Sequence, residues 1–228
     1  MMKKLIKVLP YLLILGLIIA EGFMIFDVWH QKQRSEFISL VGAAESEVDA
    51  IESSINNGNQ KLYDETTQRL ANTTIQLTST PQGQELAALV KSYSSALDAE
   101  KESISEVILI NSAYNTFQSE IQTLPTEITT DNAKEYLNQL KTAYTAYRTK
   151  IENSDLKLNQ TFKTETITNL NKLLEVTENI SSCINVCYKS SYEQLNAKLS
   201  EINRDPVKIT DIDADSSTIR AKIKELKE

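Results

Sequence analysis

Apolar residues recur along most of this chain in steps of four and three, the spacing that gathers them on one face of an α-helix. The clearest run is Phe37, Val41, Ala44, Val48, Ile51 and Ile55. Asn57-Gly58-Asn59 ends it, and Gly58 suits the left-handed position that follows a helix C-terminus. A second, weaker helix is predicted over 60–78, with Tyr63, Thr67, Leu70, Thr74 and Leu77 on its apolar face. Thr80-Pro81 opens a third, with Thr80 as N-cap and Pro81 at the first helical position. Its seam of Leu86, Val90, Tyr93, Leu97, Ile104, Val107, Tyr114 and Ile121 runs on to Leu124-Pro125. Left straight, it would hold about forty residues and span about 60 Å.

Thr130-Asp131-Asn132 caps a fourth helix carrying Ala133, Leu137, Leu140, Tyr144, Tyr147 and Ile151. After a break near Asn153-Ser154-Asp155, a fifth brings Leu158, Phe162, Leu170, Leu173, Ile180, Ile184 and Cys187 to one broad face. Ser190 and Glu193, three apart, read as a capping box for a short helix ending near Asn203. Asp205-Pro206 interrupts, and Asp215 is the expected N-cap of a last helix bearing Ile219, Ile223 and Leu226.

Short connections make successive helices antiparallel neighbours. The third helix is about twice the second in length, so its N-terminal half can pack on helices one and two while its C-terminal half serves four and five. The expected fold is therefore all-α: an elongated up-and-down bundle, with two three-helix layers sharing one long helix. The layers would fall at 31–100 and 101–204, followed by a C-terminal helix at 215–228. A parallel coiled-coil oligomer would show similar stripes. Polar interruptions at Glu100, Asn111 and Thr177, with several helical hairpins, favour the intramolecular bundle.

The first thirty residues break this pattern. Lys3, Lys4 and Lys7 lead into the uncharged run Val8–Ala20, Glu21 interrupts, and apolar residues resume at Phe23-Met24-Ile25-Phe26. Val8–Ala20 alone covers only about 20 Å, the length of a signal-peptide core, and Ala20-Glu21-Gly22 would serve as a cleavage site. Cleavage there would leave a greasy new N-terminus and a secreted protein. The uncleaved reading takes Leu5 to Phe26 as a span of about 33 Å, with Lys7 snorkelling to one face and Trp29 at headgroup level. It is favoured because it gives Phe23–Trp29 an apolar home. Residues 1–30 are then a transmembrane signal-anchor and 31–228 an extracytoplasmic bundle at the cell membrane. Lysine placement puts the N-terminus inside, and the remaining sequence holds no second apolar stretch long enough to return.

Composition narrows the chemistry. A net charge of −7 argues against nucleic acid, whose phosphates need clustered Lys and Arg. Only 5 Gly and 4 Pro leave too few sharp turns for an all-β fold. The one histidine, His30, stands beside Trp29 with no nucleophile or orienting acid near it in sequence, and is read as interfacial rather than catalytic. Phosphate-loop, dinucleotide and HExxH patterns are missing. Asp211, Asp213 and Asp215 share the spacing that opens a calcium loop, but Ser216 and Lys222 replace its obligatory Gly and Glu. No metal, cofactor or catalytic residue is therefore expected. The tyrosines fall at core or core-edge positions, and sequons at Asn72, Asn159 and Asn179 matter only in a host that glycosylates.

Cys183 and Cys187 are the only cysteines. Four apart on a helix, their Cα atoms would lie about 6 Å from each other, within disulfide range. An intrachain disulfide in an oxidising compartment and a pair of small buried thiols are both open. The functional expectation is a non-enzymatic, membrane-anchored structural or protein-interaction module of the cell envelope, attached to lipid through its N-terminal helix. The alternative is a sensor-like bundle that binds a ligand and signals through a partner.

Overall fold

A computed structural model describes residues 30–125, 129, 131–183, 187, 193–195, 197, 198, 202 and 210–228, with side chains of the final stretch described from 215 onward. The expected anchor, Ile184 and the Ser190 capping residue lie outside the described residues. Among those described, the chain is all-helical and contains no strand. Helix α1 covers 30–56, followed by α2 (Gln60–Thr78), a 3₁₀ turn (Pro81–Gly83), α3 (Gln84–Ala99), α4 (Lys101–Gln122), α5 (Ala133–Glu152), α6 (Gln160–Ser181) and α7 (Thr210–Lys227).

The α1–α2 turn forms as its sequence requires. Gly58 has φ +66°, and a Cβ there would come within 2.1 Å of the Ser112 nitrogen, so the turn lies directly on the backbone of α4. Asn59 caps α2 by accepting a 3.0 Å hydrogen bond from the Leu62 N–H. On α2 the buried positions are Tyr63, Thr66, Leu70, Thr73 and Leu77. Thr67 and Thr74 are not core members: their hydroxyls donate to Tyr63 O at 3.0 Å and Leu70 O at 2.6 Å on the same helix. Thr80 also departs from its expected role, donating back to Leu77 O at 2.8 Å instead of capping the next helix.

The forty-residue third helix is two helices. Glu100, at φ −95° and ψ 13°, separates α3 from α4 by a single residue, although its own carbonyl still accepts from Ile104 N at 2.8 Å. The apolar seam changes partners beyond this break. Leu86, Val90, Tyr93, Leu97, Ile104, Val107 and Ile108 enter one core with Val41, Val48 and Ile51 of α1 and Leu70 and Leu77 of α2. Ala113 and Phe117 enter a second core with Leu137, Leu140, Tyr144, Tyr147 and Ile151 of α5, Leu170, Leu173 and Ile180 of α6, and Leu195 and Ile202. Tyr114 and Ile121, expected on the seam, are only partly buried at its edge.

The last helix returns to the first core. Ile219 and Ile223 are 0% and 1% exposed there, so α7 joins α1, α2, α3 and the first turns of α4 in that core. Charge fixes α7 in place: Arg220 Nη2 reaches Asp49 at 2.8 Å and Glu52 at 2.6 Å on α1, while Lys222 reaches Glu85 on α3 at 2.7 Å. Asp215 lies inside α7, not at its N-cap. A helix through 210–227 is also incompatible with a twelve-residue calcium loop starting at Asp211.

Candidate functional site

Four places in the fold carry more chemistry than ordinary packing. The first is the junction of the two cores, and sequence spacing gave no sign of it. Glu106 of α4, only 5% exposed, accepts from the N–H groups of Lys157 (2.6 Å), Leu158 (2.9 Å) and Asn159 (3.0 Å), and from Asn159 Nδ2 (2.9 Å). These donors lie at and just before Asn159, the N-cap residue of α6, so a carboxylate some fifty residues upstream anchors the entry to that helix and faces its positive end. Burial alone would raise the Glu106 pKa; the hydrogen bonds from Leu158, Asn159 and Lys157 outweigh it and hold the carboxyl below its usual range. Leu158, expected on the apolar face of the helix, is instead 60% exposed at this entry. Nearby, Asn111 Nδ2 donates to Ile55 O at 2.8 Å and Asn115 Nδ2 to Asn57 O at 3.1 Å, tying the α1–α2 turn to the same helix.

The second place is the end of the bundle where α1 begins. Residues 30–36 are helical and exposed on every side, and Phe37 is the first side chain to pack against the first core. Grooves flank this stalk. One is lined by His30, Arg34, Phe37, Gln82 and Leu226, the other by Phe37, Leu40, Gln76 and Pro81. His30 therefore faces a mixed surface that includes Glu225. Among the described residues lining it, none carries a hydroxyl or thiol.

The third place is the outward face of α5. Asn138, Thr142, Thr145, Ala146 and Thr149 form an open groove with Leu109 of α4. Thr142 and Thr145 donate to Asn138 O (2.9 Å) and Lys141 O (2.7 Å), which leaves mainly methyl groups on the groove's surface. Lys141 stands at its rim, paired with Glu178 at 2.7 Å.

The fourth place is the distal end of α6. There the structure joins Cys183 to Cys187, with Cα atoms 5.6 Å apart, and the Cys187 N–H donates to Cys183 O at 2.9 Å. Cys183 is exposed, whereas Cys187 packs against the second core.

Tyr144 and Tyr147 pack as rings in the second core. Phe117 stacks on Tyr147 with ring centroids 4.8 Å apart and tilts against Tyr144 at 5.8 Å. The Tyr144 hydroxyl is buried without a hydrogen-bond partner among the described residues, and burial, then Tyr136, raises its pKa. Glu47 of α1 keeps one oxygen buried and unpartnered while the other accepts from Thr73 at 3.1 Å. Burial is the largest influence and raises its pKa, against opposing contributions from Thr73 and Arg69. Among the described residues there is no group of three or more His, Cys, Asp or Glu side chains placed to hold a metal ion, and no helix is long and apolar enough to cross a membrane. Comparison of the chain with protein-family models, with curated proteins and with solved structures finds no match.

Proposed function

We propose that this chain is a non-enzymatic, membrane-tethered helical module that holds an elongated bundle outside the cytoplasm and binds a protein of the cell envelope. The observation that carries this is the stalk. A helix that is polar all round, as 30–36 is, cannot be stabilised by burying a face of its own. It makes sense as a continuous connection of about 10 Å between a packed body and something upstream. Upstream lies the apolar run ending at Phe26, with Trp29 at the join, which suits a bilayer and its headgroup layer. Lys3, Lys4 and Lys7 favour the orientation that leaves the bundle outside.

A partner surface is suggested by the α5 groove, where Leu109, Ala146 and the threonine methyls present apolar area between polar rims. The test is photo-crosslinking of the full chain in its own membranes, with the reactive group at Thr145 or, as a control, at exposed Ile75 on α2. A discrete adduct from Thr145 and not from Ile75 is expected. Equal, diffuse labelling from both would remove the groove from the account. The second reading, a ligand-binding bundle signalling through a partner, draws on the unpartnered Tyr144 hydroxyl. It ranks lower because that ring is 0% exposed and already packed against Phe117.

A further inference from the structure

We infer that Cys183–Cys187 is a reversible thiol–disulfide site that clasps the distal end of the second core, and that a dithiol reductant is its reaction partner. Side-chain hydroxyls crowd the last turn of α6. Thr177, Ser181 and Ser182 turn their hydroxyls back to Leu173 O, Thr177 O and Asn179 O at 2.8, 2.9 and 2.6 Å, a habit that competes with regular helix. No glycine follows to form a left-handed cap there. Past Ser182, the Cys187 N–H donates to Cys183 O and the covalent bond joins the same two residues. Beyond it, Leu195 and Ile202 are 1% and 7% exposed in the second core, so the direction set at this turn decides whether they reach their seats.

The bond closes a very small loop, and such loops restrict the unfolded chain least. Its effect is therefore local, and breaking it leaves the rest of the fold intact. Access is asymmetric: Cys183 is exposed, and Cys187 leans on the core. A thiolate of the reductant attacks Cys183 Sγ, the Sγ–Sγ bond breaks, and Cys187 leaves as a thiolate that takes a proton from water. The reductant's second thiol then attacks the mixed disulfide, forming the reductant's own disulfide and releasing the Cys183 thiol. Two electrons and two protons pass to the protein, and the dithiol is oxidised by the same amount. A small-molecule disulfide closes the pair again by the reverse exchange and is itself reduced to two thiols, and no third cysteine in the chain competes within it.

The full chain in detergent or lipid nanodiscs provides the test, with dithiothreitol as the probe. Amide exchange is followed by mass spectrometry over 193–202 and over 41–55 of the first core, alongside the count of alkylated thiols. The isolated protein should be two hydrogens lighter than its reduced form. Reduction should raise exchange over 193–202 by about tenfold or more, as expected for a local opening, and leave 41–55 unchanged. Removal of the dithiothreitol and addition of oxidised glutathione should reverse both changes. Cys183→Ser/Cys187→Ser should match the reduced protein and ignore the reductant. If that variant does not fold, the titration of the unaltered chain still decides. Unchanged exchange over 193–202 on reduction, or thiols that oxidised glutathione cannot rejoin, overturns the proposal.

Discussion

Replacing Glu106 tests how the two cores are joined. Its carboxylate serves three backbone N–H groups and one side-chain amide, all at 3.0 Å or less by their shorter contacts. A hydrogen bond to a charged group contributes about 1.5–3 kcal/mol, and an ordinary N-cap about 1 kcal/mol. Water can reach part of this loop, since Leu158 is 60% exposed, so the contributions do not sum in full. Glu106→Ala should cost about 3–4 kcal/mol, and Glu106→Gln, which keeps one acceptor and loses the charge, about half of that. Because the carboxyl's pKa is depressed in the fold, its contribution is fully present above the unfolded value of about 4.3 and is lost as pH falls through the lower folded value. The gap between wild type and Glu106→Ala should thus narrow below about pH 4. Urea unfolding followed by circular dichroism, with amide exchange over 160–164 to localise the effect, gives both quantities. A loss under about 1 kcal/mol, or a gap of constant size from pH 7 to pH 3, would refute the anchoring role.

Three further perturbations follow from the same geometry. Gly58→Ala should cost about 2–4 kcal/mol, and Gly58→Asn should rescue little of it, because the clash with Ser112 comes from any Cβ and not only from the positive φ; thermal unfolding of both variants checks this. Leu140→Asp puts an unpaired charge at a position that is 0% exposed, so exchange protection over α5 and α6 should collapse while α1 and α2 keep theirs. Glu47→Gln should stabilise the fold at pH 7, since a carboxyl whose folded pKa is raised opposes folding while charged. That gain should vanish in urea titrations at pH values low enough to protonate Glu47.

The all-helical class was legible because four-three spacing and the scarcity of Gly and Pro are local signals. Gly58 was legible for the same reason: a turn that needs positive φ names its residue. What could not be read depends on contacts between distant segments. The break at Glu100 has no glycine or proline to mark it, and it precedes the point where the seam passes from one core to the other. The Glu106 contact joins residues more than fifty positions apart, and a lone glutamate on a helix otherwise looks like a solvated charge. On α2, Thr67 fits the four-three spacing, yet tertiary packing buries Thr66 instead. The return of α7 to the first core rests on Ile219 and Ile223 being buried there, with Arg220 meeting Asp49 and Glu52 at the edge, and spacing within α7 cannot reveal which helices it meets.

The claim that the bundle is tethered outside the cytoplasm is tested most directly by protease treatment of intact cells, with the surviving fragment's mass read after alkaline washing of the membranes. The account predicts that the untreated chain stays with the membrane at full length. It also predicts that external protease removes the polypeptide beyond about residue 30 and leaves a short fragment containing the span from Leu5 to Phe26. Recovery of a soluble protein beginning at Glu21 or Phe23, or a full-length chain untouched by external protease, would contradict it.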